Sequence, residues 1–267
     1  MDNQNDNQPY TPYAPPTADI EFKPGSEETN FIPGGRPVSM GNGFSWISSS
    51  WGLFKQQAIT WIMFTLAYVG ICILLSVIPV VGDILSLFIP TLIIAGVIYS
   101  CDLLRRVGSF TFGDLFTAFQ RKTGSLMILC LIAFGLLFLA ILLLLVVFAS
   151  SIFTDSPVFD YNEVFASFRP SLLMILTGFI ILVTWAMSMM FAPALVMMHD
   201  IRPFEALQMS LSACLKNLLP GFIFWVVLSV LIILSLIPLG LGLLVTIPMF
   251  FICYYTSYRS IFFDEEN

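Results

Sequence analysis

The residues able to carry chemistry are few and gathered. Asp102, Arg105, Arg106, Asp114, Arg121, Lys122, His199, Asp200 and Arg202 fall in two short stretches, each beside a long apolar run. Acids mixed with arginines suit ion pairing and the capture of anions such as lipid phosphates. They serve acid–base catalysis poorly, because His199 is the one histidine in the chain and such catalysis draws most often on histidine. Gly-x-Ser-x-Gly, His-Glu-x-x-His and Gly-x-x-x-x-Gly-Lys motifs are all missing. No catalytic residue is assigned, and the chain is expected not to be an enzyme. Cys72, Cys101, Cys130, Cys214 and Cys253 are scattered without Cys-x-x-Cys spacing. They read as small apolar residues of helices, so no metal or cofactor is expected.

What must position these groups follows from the charge pattern. Of 267 residues, 58% are hydrophobic and 10% charged, where a soluble domain carries roughly 25% charged residues. Mean hydropathy is +0.91. Such a surface suits lipid, not water. Charge-free windows of 27, 18, 32 and 30 residues follow Lys55, Asp83, Lys122 and Arg169, and one of 42 follows Lys216. About 20 apolar residues cross a bilayer core. The longest window is twice that, and Pro238-Leu239-Gly240-Leu241-Gly242 divides it into a hairpin. The pattern predicts an all-α membrane fold with six transmembrane helices, near 57–78, 84–101, 124–152, 171–198, 218–237 and 241–258.

Lysine and arginine set the expected orientation. Six spans put Lys23, Arg36, Lys55, Arg105, Arg106, Arg121, Lys122, Arg202, Lys216 and Arg259 on one side and only Arg169 on the other. This positive-inside bias predicts both termini in the cytoplasm. Arg105, Arg106, Arg121, Lys122, Arg202 and Lys216 are the expected contacts to lipid headgroups. Thr154–Pro170 is the expected large outer connection. Asp102, His199 and Asp200 sit at inner ends, so no ionisable group is expected deep in a span, which argues against a proton-coupled transporter.

Residues 1–43 hold seven of the sixteen prolines and read as a disordered cytoplasmic tail. They lack the basic start and apolar stretch of a secretory signal. Their Pro9–Pro16 run makes the tail a candidate ligand for a protein partner. Residues 44–262 form the expected membrane domain and 263–267 an acidic tail. No basic run suggests nucleic acid.

Three amphipathic segments precede three pairs of spans. Their apolar positions are Phe44, Ile47, Trp51 and Phe54; Phe112, Leu115, Phe116 and Phe119; and Phe204, Leu207, Leu211 and Leu215. Each reads as a helix lying in the cytoplasmic interface. Pro90, Pro193 and Pro248 recur in the second span of each pair and predict three helix kinks. Three parallel hairpin repeats result, at about 44–106, 107–201 and 202–262. Gly96 and Ser100, like Ser188 and Ala192, are spaced for close helix approach.

Trp46 with Trp51-Gly52-Leu53-Phe54, Ile78-Pro79-Val80-Val81-Gly82, Phe191-Ala192-Pro193-Ala194-Leu195 and Ser257-Tyr258-Arg259-Ser260-Ile261-Phe262 carry a resemblance over about four-fifths of the chain. The run Phe44–Phe262 resembles an uncharacterised proteobacterial family of six-helix inner-membrane proteins. More distantly it is similar to YciC-type membrane proteins and to the membrane domains of some glycerophosphodiesterases. The resemblance implies residence in a bacterial inner membrane and carries no activity or site. The expectation is a non-enzymatic envelope scaffold or lipid-associated component, with membrane lipids as partners. A passive or facilitated transporter of a small or apolar solute is the alternative.

Overall fold

Each apolar window becomes a helix, and each break coincides with charge, glycine or proline. The computed structural model describes residues 30–155 and 172–264. The helices are α1 (Asn42–Gln56), α2 (Ala58–Val77), α3 (Val81–Val107), α4 (Ala118–Arg121), α5 (Thr123–Asp155), α6 (Leu172–His199), α7 (Pro203–Lys216), α8 (Leu218–Leu236) and α9 (Leu243–Phe262). A 3-10 turn, Phe112–Phe116, precedes α4. Among the described residues there is no strand, only an isolated bridge between Phe31 and Phe263.

Five helices, α2, α3, α5, α6 and α8, are long and apolar enough to cross a membrane. The chain is a multi-pass membrane protein. The sixth predicted span differs. Helix α9 has 20 residues, but its second half runs Tyr254-Tyr255-Thr256-Ser257-Tyr258-Arg259 and is less apolar than the other five. Protein surrounds it, with Tyr255, Thr256, Ser257 and Tyr258 all buried. A helix sheltered by other helices has no need of a lipid-compatible surface.

The helices sort into an inner trio and an outer set. Helices α3, α6 and α9 touch one another, α2 and α8 flank α9, and α5 packs on α6 and α3. Only 17%, 6% and 22% of the apolar windows of α2, α5 and α8 are buried, against 56% and 33% for α3 and α6. Pro90, Pro193 and Pro248 lie inside α3, α6 and α9 respectively.

Packing is dense toward the end that carries Arg105, Arg106 and Lys216, hereafter the basic end. Trp61, Phe64, Ile93, Ile98, Phe191 and Tyr258 are fully buried there. Toward the other end Ile84, Leu85, Leu87, Phe179 and Ile180 are exposed. At that end Val80 makes the α2–α3 reversal as a γ-turn, with φ 64° and Val81 N–H donating to the Pro79 carbonyl at 2.7 Å. A β-branched residue at positive φ is strained.

Helices α1 and α7 pack on the long helices largely by small residues and leave large apolar ones exposed. Helix α1 buries Gly43, Trp46, Ser50 and Phe54 against α9 and α8, leaving Phe44 and Trp51 exposed. Helix α7 buries Ala206, Leu207, Ser210, Ala213 and Cys214 against α6, leaving Phe204 and Leu215 exposed. In lipid there is no apolar penalty for exposing Phe or Leu, so small residues that permit close approach take the protein side. The middle segment is not one helix but the 3-10 turn and α4. Its Leu115 carbonyl lies where a Cβ on Gly96 would come within 1.9 Å. Gly96 therefore admits this turn, not a neighbouring span.

The expected outer connection lies outside the described residues from position 156 onward, as does the tail up to position 29. The last part of that tail is held in place. Ile32 and Arg36 N–H groups donate to the Phe262 and Ile261 carbonyls at 2.8 and 2.9 Å, and Asp264 N–H donates to the Asn30 carbonyl at 3.3 Å. Residues 30–41 form a strap across the basic end, and Phe263, placed in the acidic tail by its position, is buried beneath it.

Candidate functional site

The basic end is built on the last two turns of α3. The helix continues past its apolar window because Asp102, Arg105 and Arg106 stand at i, i+3 and i+4 and pair along one face. Gly108, at φ 84°, stops it by a left-handed cap whose N–H donates to the Leu104 carbonyl.

Asp102 is 3% exposed, so its charge needs partners. Its Oδ1 accepts from Arg105 Nη2 at 3.2 Å and from the Tyr255 hydroxyl at 3.1 Å. Its Oδ2 accepts from Arg106 Nε at 2.6 Å. Arg105 Nε donates to the Tyr255 hydroxyl at 2.9 Å. The carboxylate thus ties α3 to α9. The arginine side chains, 40% and 35% exposed, reach out of this lattice toward the surface.

His199 ends α6. Its Nε2 is hydrogen-bonded to the Tyr258 hydroxyl. Its ring stacks on Phe31 of the strap, with centroids 4.0 Å apart. Phe31 and Tyr258 thus hold the one histidine in place. Arg259 lies over the Phe263 ring at 4.0 Å.

Of the remaining predicted headgroup contacts at the same end, Arg121, Lys122 and Lys216 face protein partners. Lys122 pairs with Asp200. Arg121 lies over the Tyr99 ring at 5.6 Å. Lys216 donates to the Gly34 and Gly35 carbonyls of the strap at 3.0 and 2.9 Å. Arg202 caps α7 and is exposed. Asp114 is drawn back into a capping box with Thr111. Beside Lys216, Asn217 accepts from Val38 N–H at 2.8 Å and donates to the Arg36 carbonyl at 2.8 Å.

Tyr255, Tyr258, Asn217 and the strap escaped sequence reasoning. The one signal was the tyrosine spacing of α9, whose hydroxyls are out of place in a lipid-facing helix. Among the described residues no three His, Cys, Asp or Glu side chains group closely enough to hold a metal ion. The arrangement binds chain to chain, with the Arg105 and Arg106 side chains partly exposed at its edge.

No protein-family model, no curated protein and no solved structure matches this chain.

Proposed function

We propose that the chain is a non-enzymatic, lipid-associated component of a bacterial inner membrane, serving as an envelope scaffold. It crosses six times, keeps both termini in the cytoplasm and consists of three parallel hairpin units. Helix α9 is the sixth crossing. Its 20 residues span about 30 Å, the thickness of the hydrocarbon core. Its polar groups are turned to protein: Thr256 Oγ1 donates to the Trp46 carbonyl at 3.0 Å, and Tyr255 meets Asp102.

The threefold reading is supported by the order of packing. The 112–116 turn, which enters the second unit, packs on α3, the last helix of the first. Helix α7, which enters the third unit, packs on α6, the last helix of the second. Helix α1 packs on α9 and closes the ring. Each unit thus leans on the one before it, and the three proline-bearing helices meet at the centre.

The observation that carries the functional reading is the closed basic end. Phe191, Tyr258 and Phe262 fill the space between α6 and α9, with Phe191 and Phe262 centroids 5.6 Å apart. The interior there is filled with side chains, which favours a scaffold over a passive route for solute. Arg105, Arg106 and Arg202 line that end with side chains partly or fully exposed and meet anionic headgroups, while Arg121, Lys122 and Lys216 are engaged by protein groups behind them. The tail before the strap is the surface offered to a protein partner.

Purification in native lipid, with identification of bound lipids and proteins, tests this. Anionic lipid should be retained, and retention should fall when Arg105 and Arg106 are both replaced by Gln. Solute flux through proteoliposomes, or reporter fusions placing residues 156–170 in the cytoplasm, would overturn it.

A further inference from the structure

A second candidate site lies at the end opposite the arginines. A cavity of about 230 Å³ lies between α2 and α3, lined among others by Tyr68, Cys72, Ser76, Asp83, Ser86 and Pro90. It is smaller than the roughly 300–1,000 Å³ that encloses a whole small ligand. An occupant would place only part of itself there. Tyr68 packs edge-on against Phe251 of α9, with centroids 5.1 Å apart, while Cys72, Ser76, Asp83 and Ser86 are exposed, so the cavity opens outward.

The polar lining is rich in acceptors. Ser76 Oγ already donates to the Ile73 carbonyl at 2.7 Å, and Ser86 Oγ to the Asp83 carbonyl at 2.6 Å. Each hydroxyl has therefore spent its proton and keeps lone pairs. Pro90 brings no N–H to the Ser86 carbonyl one helical turn before it. The Asp83 carboxylate adds a negative charge, and no described basic residue forms an ion pair with it. Leu75 and Ile89 supply apolar wall beside these groups. Serine and backbone oxygens that keep lone pairs, one carboxylate and an apolar wall, beside the Tyr68 hydroxyl and Cys72 thiol, suit a cationic donor attached to a hydrocarbon body.

We propose that this cavity binds the ammonium headgroup of a primary-amine phospholipid in the outer leaflet, with Asp83 as its counter-ion. The three N–H bonds of the ammonium reach Asp83, the Ser86 carbonyl and a serine hydroxyl, while its chains lie along the exposed apolar surface of α3. A choline headgroup has the same charge but no N–H to donate, so it is rejected. The placement in the outer leaflet rests on the six-span orientation proposed above.

The full chain in nanodiscs of equal phosphatidylethanolamine, phosphatidylcholine and phosphatidylglycerol provides the test, with retained lipid read by mass spectrometry after delipidation. Wild type should retain ethanolamine over choline lipid by roughly tenfold, the weight of one charge-assisted hydrogen bond. Asp83→Asn should abolish this preference, and Cys72→Trp, which fills the cavity, should remove the bound lipid. Retained phosphatidylglycerol with no preference between the other two lipids would overturn the cavity site and leave the lipid-associated reading standing. A preference that survives in Asp83→Asn would also overturn the site. Wild type that retains no lipid would overturn both.

Discussion

The Ser210 hydroxyl of α7 stands inside the backbone ladder of α6, where it accepts from the Phe191 N–H at 2.9 Å and donates to the Met187 carbonyl at 2.7 Å. In an uninterrupted helix those two groups would bond each other. Pro193, two residues further on, withholds an N–H from the Met189 carbonyl. Two rungs of α6 are thus altered within one turn, and insertions of this kind bend helices. A serine on an interfacial helix thereby joins in shaping a central span.

Ser210→Ala should lower stability by about 1–3 kcal/mol, the cost of unpairing buried backbone groups. Thermal unfolding in detergent measures it. An unchanged midpoint would mean that α6 closes its own ladder once the hydroxyl is gone.

Asp102→Asn should destabilise the α3–α9 contact by somewhat less than the roughly 3–5 kcal/mol of a fully buried pair. Solvent screens the half-exposed Arg105 and Arg106, so the full figure does not apply. Tyr255→Phe, which removes one hydroxyl from the same lattice, should cost about 1 kcal/mol. The double variant should lose less than the sum, because the two groups share one network. Additive losses in unfolding experiments would contradict the shared lattice.

Gly96→Ala should dislodge the 112–116 turn, since its Cβ would lie 1.9 Å from the Leu115 carbonyl. Limited proteolysis between residues 108 and 123 should become faster. Gly135→Ala is the control, because nothing lies within 4 Å of its added carbon. That change should be neutral or stabilise by up to about 1 kcal/mol through helix propensity. Equal proteolysis of both variants would argue against the close approach.

Burial pushes the Cys214 thiol of α7 up from its ordinary value of 9 to about 12. In a variant holding Cys214 alone, maleimide labelling of the folded protein should stay slow between pH 7 and 9, whereas an exposed thiol accelerates over that range. Folding favours the protonated thiol here, so its contribution is present below pH 9 and is lost as pH rises toward 12. Fast labelling at pH 7 would contradict the buried placement.

The lengths of the apolar elements were readable from the chain. Predicted spans of 57–78, 124–152, 171–198 and 218–237 meet helices at Ala58–Val77, Thr123–Asp155, Leu172–His199 and Leu218–Leu236. The reason is local: in lipid a backbone must satisfy its own hydrogen bonds, so an unbroken apolar run becomes a helix. Helix α3 overran its window of 84–101 to Val107 because charge was taken as its end. Asp102 pairs with both arginines along one face, so the helix runs on to Gly108.

The chemical groups at the basic end were equally legible as residue types, and their roles were not. Lys216 looked like a headgroup contact, but strap residues more than 180 positions away claim its ammonium. Phe44 and Trp51 were legible as the apolar face of an interfacial helix, but that Gly43, Trp46 and Ser50 would pack it on α8 and α9 was not.

The sequence by itself determined that this chain lives in lipid, which of its segments become long helices and which residues carry charge, since each depends on neighbours along the chain. The tertiary structure alone decided that Asp102 is enclosed by Arg105, Arg106 and Tyr255, that Ser210 enters α6, and that residues 30–41 seal the basic end. Those contacts join groups far apart in sequence, and they turn on shape. Where lipid accepts large apolar residues as readily as protein does, hydrophobic pattern no longer selects the buried face, and close fit among small residues and hydrogen bonds selects it instead.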